Sequence, residues 1–172
     1  MLLAVGLAIT FTATFHERFT FDLAVVVVAL AVIGLVHLIE GWQRIGRAGS
    51  SIAFALGIVS VIAAALLGIF SSPMAFAVVI AGWALSSALL EFVGMVVTPG
   101  SRQDAPLVGA IGLVLALAVL LSRADLVAVI GFFGAYAVVA GVFLGIAALD
   151  TRRATEPDEA SQATPVNASF TA

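Results

Sequence analysis

Glu91 stands alone as an ionisable residue inside an apolar run covering residues 74–97. Ionisable groups within a membrane segment cost free energy and tend to face a partner or a cavity. Ser87 lies one helical turn earlier on the same face and can donate to the carboxylate. Glu40 occupies the equivalent depth in an earlier copy of the same design, with His37 three positions before it. Hairpins related by pseudo-symmetry would bring Glu91, Glu40 and His37 together near one end of a helical bundle. Burial and neighbouring charge would then compete for the protonation state of each group, so the trio forms a candidate proton-sensitive polar cluster.

Blander roles compete for the same residues. Glu40 precedes Arg44 by four positions, the favoured order for an ion pair on a helix surface, which makes Glu40 and Arg44 a candidate interfacial pair. A neutral His37 hydrogen-bonded within the bundle is the favoured reading of the imidazole over a functional switch. Glu91 has no basic residue within one helical turn, so it either pairs across helices or snorkels to the membrane interface. The third copy carries Phe143 at this position, so the fold itself does not require the acid. His37, Glu40 and Glu91 make a poor metal site: there is no His-Glu-x-x-His motif, and the other histidine, His16, falls at the opposite end beside Glu17 in a solvated loop. A Gly-x-Ser-x-Gly nucleophile motif is also missing. The absence of cysteine excludes disulfides, thiolate catalysis and Cys-ligated metals. The residues therefore imply no catalytic group, no metal and no cofactor, and point to a protein that is not an enzyme.

The elements that would position these groups are membrane helices. Hydrophobic residues make up 63% of the chain and charged residues 10%, with a mean hydropathy of +1.24. Soluble domains carry about 25% charged residues, so too little charge is present to coat a water-facing surface. The net charge of −3 comes mostly from Asp150, Glu156, Asp158 and Glu159, and there is no lysine. Nucleic acid is thereby excluded as a partner, and the lipid bilayer is the expected one.

Six apolar segments follow in order: residues 2–15, 23–39, 52–70, 74–97, 107–121 and 126–149. Membrane strands need only about 9–11 alternating residues, so the lengths predict helices. Asp22 is expected to cap the second helix and Asp125 the sixth. Ser71-Ser72-Pro73 forms the turn before the fourth, Thr98 to Asp104 is a turn-rich break, and Pro106 suits the first position of the fifth. A signal peptide is the alternative for the first segment, but nothing basic precedes Leu2. Residues 150–172 are rich in Thr, Glu, Pro, Ala and Ser and are expected to form a disordered cytoplasmic tail.

An internal repeat organises the segments. Gly6 and Gly57 are 51 positions apart (57 − 6), as are Asp22 with Pro73 and Glu40 with Glu91. Asp125 follows Pro73 by 52 (125 − 73) and so marks a looser third copy over about residues 107–149. The chain thus reads as all-α: one polytopic domain over residues 1–149, with six transmembrane helices in three tandem helical hairpins at about 1–47, 48–101 and 102–149. Arginine sets the orientation: Arg44, Arg47, Arg102, Arg152 and Arg153 fall on one side, against Arg18 and Arg123 on the other. Both ends are therefore expected in the cytoplasm, with Trp42 at the inner interface. So little chain precedes the first helix that we expect an internal start and a missing basic arm, an expectation that the intact mass of the native protein would refute if it began at Met1. Ser60, Ala64 and Gly68, and Ala137, Gly141 and Gly145, form small-residue faces suited to packing within the chain or to joining copies as a homo-oligomer.

The glycine and turn pattern, clearest in Leu56-Gly57-Ile58, Ser72-Pro73 and Ala81-Gly82-Trp83, continues in Gly109-Ala110-Ile111-Gly112 and Val139-Ala140-Gly141-Val142. It resembles the HdeD-like short-repeat membrane proteins over roughly residues 1–149. The resemblance implies an integral protein of the bacterial cytoplasmic (inner) membrane tied to acid resistance and envelope stress, and carries over no catalytic residue. A different class, a small proton-coupled transporter or permease using Glu91 with His37 and Glu40, rests on the polar cluster instead.

Overall fold

The computed structural model describes residues 2–12, 18–47, 49–97 and 105–155. His16, Glu17, the break at 98–104 and the tail beyond residue 155 lie outside the described residues. Six helices follow one another: α1 (Leu2–Phe11), α2 (Phe19–Gln43), α3 (Ser50–Ile69), α4 (Pro73–Val97), α5 (Ala105–Leu121) and α6 (Leu126–Thr155). No strand occurs among the described residues. In lipid a helix satisfies its own N–H and C=O groups, which is why uninterrupted apolar runs settle into this form. Among the described residues four helices are long and apolar enough to cross a membrane: α2, α3, α4 and the Leu126–Ile146 stretch of α6. At 10 and 17 residues, α1 and α5 are shorter.

Helix ends follow local chemistry with one correction. Asp125 accepts a 3.0 Å bond from the Ala128 amide and caps α6, and Ser72 accepts from Ala75 at 3.3 Å ahead of Pro73. Asp22 does not cap α2. That helix begins a turn earlier, at Phe19, with Arg18 in the cap position and Asp22 within the first turn, 2% exposed. The cause is packing: the Phe19 ring meets Phe76 edge-on at 5.8 Å, which draws the preceding turn into the helix. An acid in the first turn still complements the helix dipole. At its other end α2 continues through the polar Glu40 stretch to Gln43. The turn into α3 uses Gly46 and Gly49 at φ 79° and 88°, a left-handed conformation that glycine adopts without strain. Ser50 Oγ donates to the Gly41 carbonyl at 3.1 Å and ties the turn back to α2. At the far end α6 runs to Thr155, past the expected boundary at residue 149.

The closest packing joins helices from different copies of the expected repeat, not the two helices within one copy. α2 lies chiefly on α3, α4 on α5, and α1 on α6, with lesser contact between α3 and α4 and between α5 and α6. Glycine accounts for each close seam. A Cβ placed on Gly34 would come 3.0 Å from the Gly57 carbonyl oxygen, and one on Gly57 would come 3.0 Å from that of Gly34. Gly109 faces the Ala88 carbonyl, Gly6 faces the Gly134 carbonyl and the Val138 amide, and Gly141 abuts the backbone of Leu2 and Leu3. By contrast α1 and α2 scarcely touch. An apolar groove of about 360 Å³ separates them, with Val5 and Ala8 on one wall and Phe21, Val25, Val28 and Val32 on the other.

The fully buried apolar residues concentrate at one end of the bundle, where α2, α4 and α6 begin and α3 and α5 finish. Val26, Leu30, Leu67, Phe76, Ile80, Val119 and Phe133 are the centre of this core. Of the small-residue faces, Ser60, Ala64 and Ala137 are buried, whereas Gly68 and Gly145 face open space. Replacing Gly57 by Val should therefore lower stability by about 1–3 kcal/mol through overpacking. Gly68→Ala should leave it unchanged or slightly raised. Thermal unfolding of both variants in detergent, followed by circular dichroism, checks the contrast.

Candidate functional site

At the end opposite the core, the last turns of α2 and α4 carry the ionisable residues. His37 and Glu40 sit on α2, and Ser87 and Glu91 on α4. A chamber of about 50 Å³ opens between the helices there, walled in part by His37, Ser60, Trp83, Ser87, Glu91 and Tyr136. Leu2, Val108 and Leu144 close it with apolar surface from α1, α5 and α6. Two of the three residues expected to cluster, His37 and Glu91, thus share one space. Glu40 does not line it.

Glu40 lies outward of His37, at the rim. Its Oε1 is 2.8 Å from Arg44 Nη2, and its Oε2 is 3.6 Å from His37 Nδ1. The first is a close ion pair on a partly exposed surface, of a kind worth about 0.3–0.5 kcal/mol. The second is too long for a hydrogen bond. His37 therefore stands between the rim carboxylate and the chamber. Glu91 is half-buried and, among the described residues, takes part in no ion pair.

The expected bond from Ser87 to Glu91 is not made. Ser87 Oγ and His37 Nδ1 are both buried without a hydrogen-bond partner among the described residues. Buried polar atoms in native proteins are nearly always bonded, to protein or to ordered water. The unsatisfied Ser87 hydroxyl, on a residue that lines this small chamber, marks it as a polar site.

The deeper wall was not evident from residue spacing. Trp83 Nε1 donates to Ser60 Oγ at 2.9 Å, and Ser60 in turn donates to the Leu56 carbonyl at 2.9 Å. The Tyr136 ring meets Trp83 edge-on at 5.8 Å, and Phe133 packs against the same indole at 5.7 Å. These residues fix the floor of the chamber. The one available signal was rarity, since Tyr136 is the only tyrosine in the chain. Among the described residues no three His, Asp or Glu side chains are grouped as metal ligands. The arrangement can bind water and hold or release a proton.

No protein-family model, curated protein or solved structure matches this chain.

Replacing Trp83 by Phe keeps the aromatic packing and removes the bond to Ser60, which should cost about 1 kcal/mol. Glu40→Gln should cost less, about 0.5 kcal/mol or under, because its ion pair is exposed. Denaturant titration of the detergent-solubilised protein should rank the two in that order.

Proposed function

We propose that this chain is a non-enzymatic, multi-pass protein of the bacterial cytoplasmic membrane that binds protons at Glu91 and His37 and serves the response to acid or envelope stress. In this reading six helices cross or enter the bilayer as three related hairpins, both termini are cytoplasmic, and the stress role is the one implied by the resemblance to HdeD-like proteins. The small-residue faces turned to open space offer a surface for self-association.

One observation carries the proposal: Glu91 and His37 line a common chamber whose wall includes the unpartnered Ser87 hydroxyl. A carboxylate and an imidazole sharing a small, partly dehydrated space are coupled, so that protonating one alters the other's affinity for a proton. Size weighs against a permease route through this site. Solute pockets typically span about 300–1,000 Å³, and this chamber has about 50 Å³. Room for a few waters suits proton binding without solute passage.

Cells carrying Glu91→Gln or His37→Ala in place of the native chain should survive an acid challenge several-fold less well than wild type, while growing normally at neutral pH. Colony counts after exposure provide the measurement. Unchanged survival in both variants removes the proton-binding function and leaves the fold untouched.

A further inference from the structure

The chamber and the apolar core occupy opposite halves of the same bundle, and this division restricts how a proton can reach Glu91. On the rim side lie Glu40 and Arg44, with the Arg47 loop beyond. His37 separates them from the chamber, with Glu40 Oε2 3.6 Å from its Nδ1. On the core side the floor is Trp83, held by Ser60 and backed by Phe133. Beyond it, Phe76, Leu30, Leu67, Ile80, Val119 and Ile130 are closed to solvent. The next ionisable residue along α2 in that direction is Asp22, near the opposite mouth. It lies 15 residues from His37 (37 − 22), a separation of roughly 22 Å along the helix axis. Val26, Leu30 and Ile33 occupy the buried face of α2 between them. No polar path crosses that half among the described residues.

The chamber itself is fitted for water. A bound water needs roughly 10–15 Å³ of probe-occupied space and two to four polar partners. The chamber, at about 50 Å³, accommodates several. Ser87 is only 8% exposed, and its hydroxyl is unsatisfied by the described residues, as is His37 Nδ1. The groups facing Glu91 come from each surrounding helix: His37 from α2 with Glu40 behind it, Ser60 from α3, Ser87 and Trp83 from α4 itself, and Tyr136 from α6. Neither α1 nor α5 contains an ionisable side chain, and the wall they form is apolar.

We propose that the chamber is a one-sided hydrated well, in which Ser87, His37, Glu91 and Tyr136 bind a small water cluster and Glu91 exchanges protons only with the face carrying Arg44 and Arg47. The step is a simple transfer: a proton arriving at the rim passes through the bound waters to a Glu91 carboxylate oxygen, and leaves by the same route. Ser87 is a positioning residue that holds waters, and His37, at the rim of the chamber, binds protons itself and holds waters on their way to Glu91. This inference deepens the proton-binding reading and rests on it. It adds a ligand, water, and a direction of access. It also argues against net proton transport through the site, because apolar side chains fill the half beyond Trp83 among the described residues.

The test uses the full-length protein in right-side-out and inverted membrane vesicles, with orientation verified by protease cleavage at the Arg44–Arg47 loop. Dicyclohexylcarbodiimide, a lipid-soluble reagent that modifies protonated carboxyl groups, reports the state of Glu91 by peptide mass. Acidifying the compartment that faces Arg44 and Arg47 should raise Glu91 labelling several-fold, and acidifying the other compartment should not change it. Ser87→Val, which removes the hydroxyl at nearly constant size, should slow the rim-side response several-fold while circular dichroism stays native. Equal labelling from both sides, no labelling of Glu91 at any pH, or an unaltered response in a folded Ser87→Val protein would each overturn the well. The wild-type sidedness measurement needs no variant to fold. Sided labelling with unimpaired acid survival of Glu91→Gln cells would sink the stress function and keep the well. Two-sided labelling with lost survival would do the reverse.

Discussion

At Gly34 and Gly57 two helix backbones approach with no side chain between them, and the architecture depends on contacts of that kind. Lipid tails are as apolar as the helices they surround, so there is little hydrophobic force to drive one membrane helix onto another. Close backbone approach, dense van der Waals contact and weak carbonyl contacts must supply the attraction instead. The Gly6–Gly134 and Gly109–Ala88 seams repeat the device. Where it is missing, between α1 and α2, a groove replaces the contact.

This constraint also explains the division of the interior. Large side chains such as Phe76, Phe133 and Leu67 fill the space where even-numbered helices begin. Toward their other ends the pairs are drawn together by glycine and alanine, and residues such as Ser60 and Ser87 reach the axis. Small polar side chains leave unfilled volume, and that volume is the chamber. Its floor persists because Trp83 is fixed on both sides, by a hydrogen bond to Ser60 and by the rings of Phe133 and Tyr136.

Much of the segmentation was legible from residue order, since long apolar runs interrupted by proline, serine and aspartate have few alternatives in lipid. Asp125 was read correctly as a cap. Asp22 was not, because its role depends on Phe19 finding Phe76 on another helix, which no local window contains. Glycine spacing marked where helices approach closely, yet could not say which partner each would meet: the seams pair α2 with α3, α4 with α5 and α1 with α6. His37 and Glu91 stood out because charge is scarce in such runs. The Ser60–Trp83 bond and the place of Tyr136 did not, since single polar atoms on an apolar helix leave no periodic trace.

The pairing of α1 with α6 has a consequence for biogenesis. α1 is made well before α6, its principal neighbour, and is the shortest helix among the described residues. Until α6 has been made, Gly6 and the backbone around Leu3 are without Gly134 and Gly141 as neighbours. Closure of this seam therefore waits on α6 and joins segments that are distant in sequence. A chain lacking α6 would therefore leave α1 without its principal berth, since α2 gives it almost no contact.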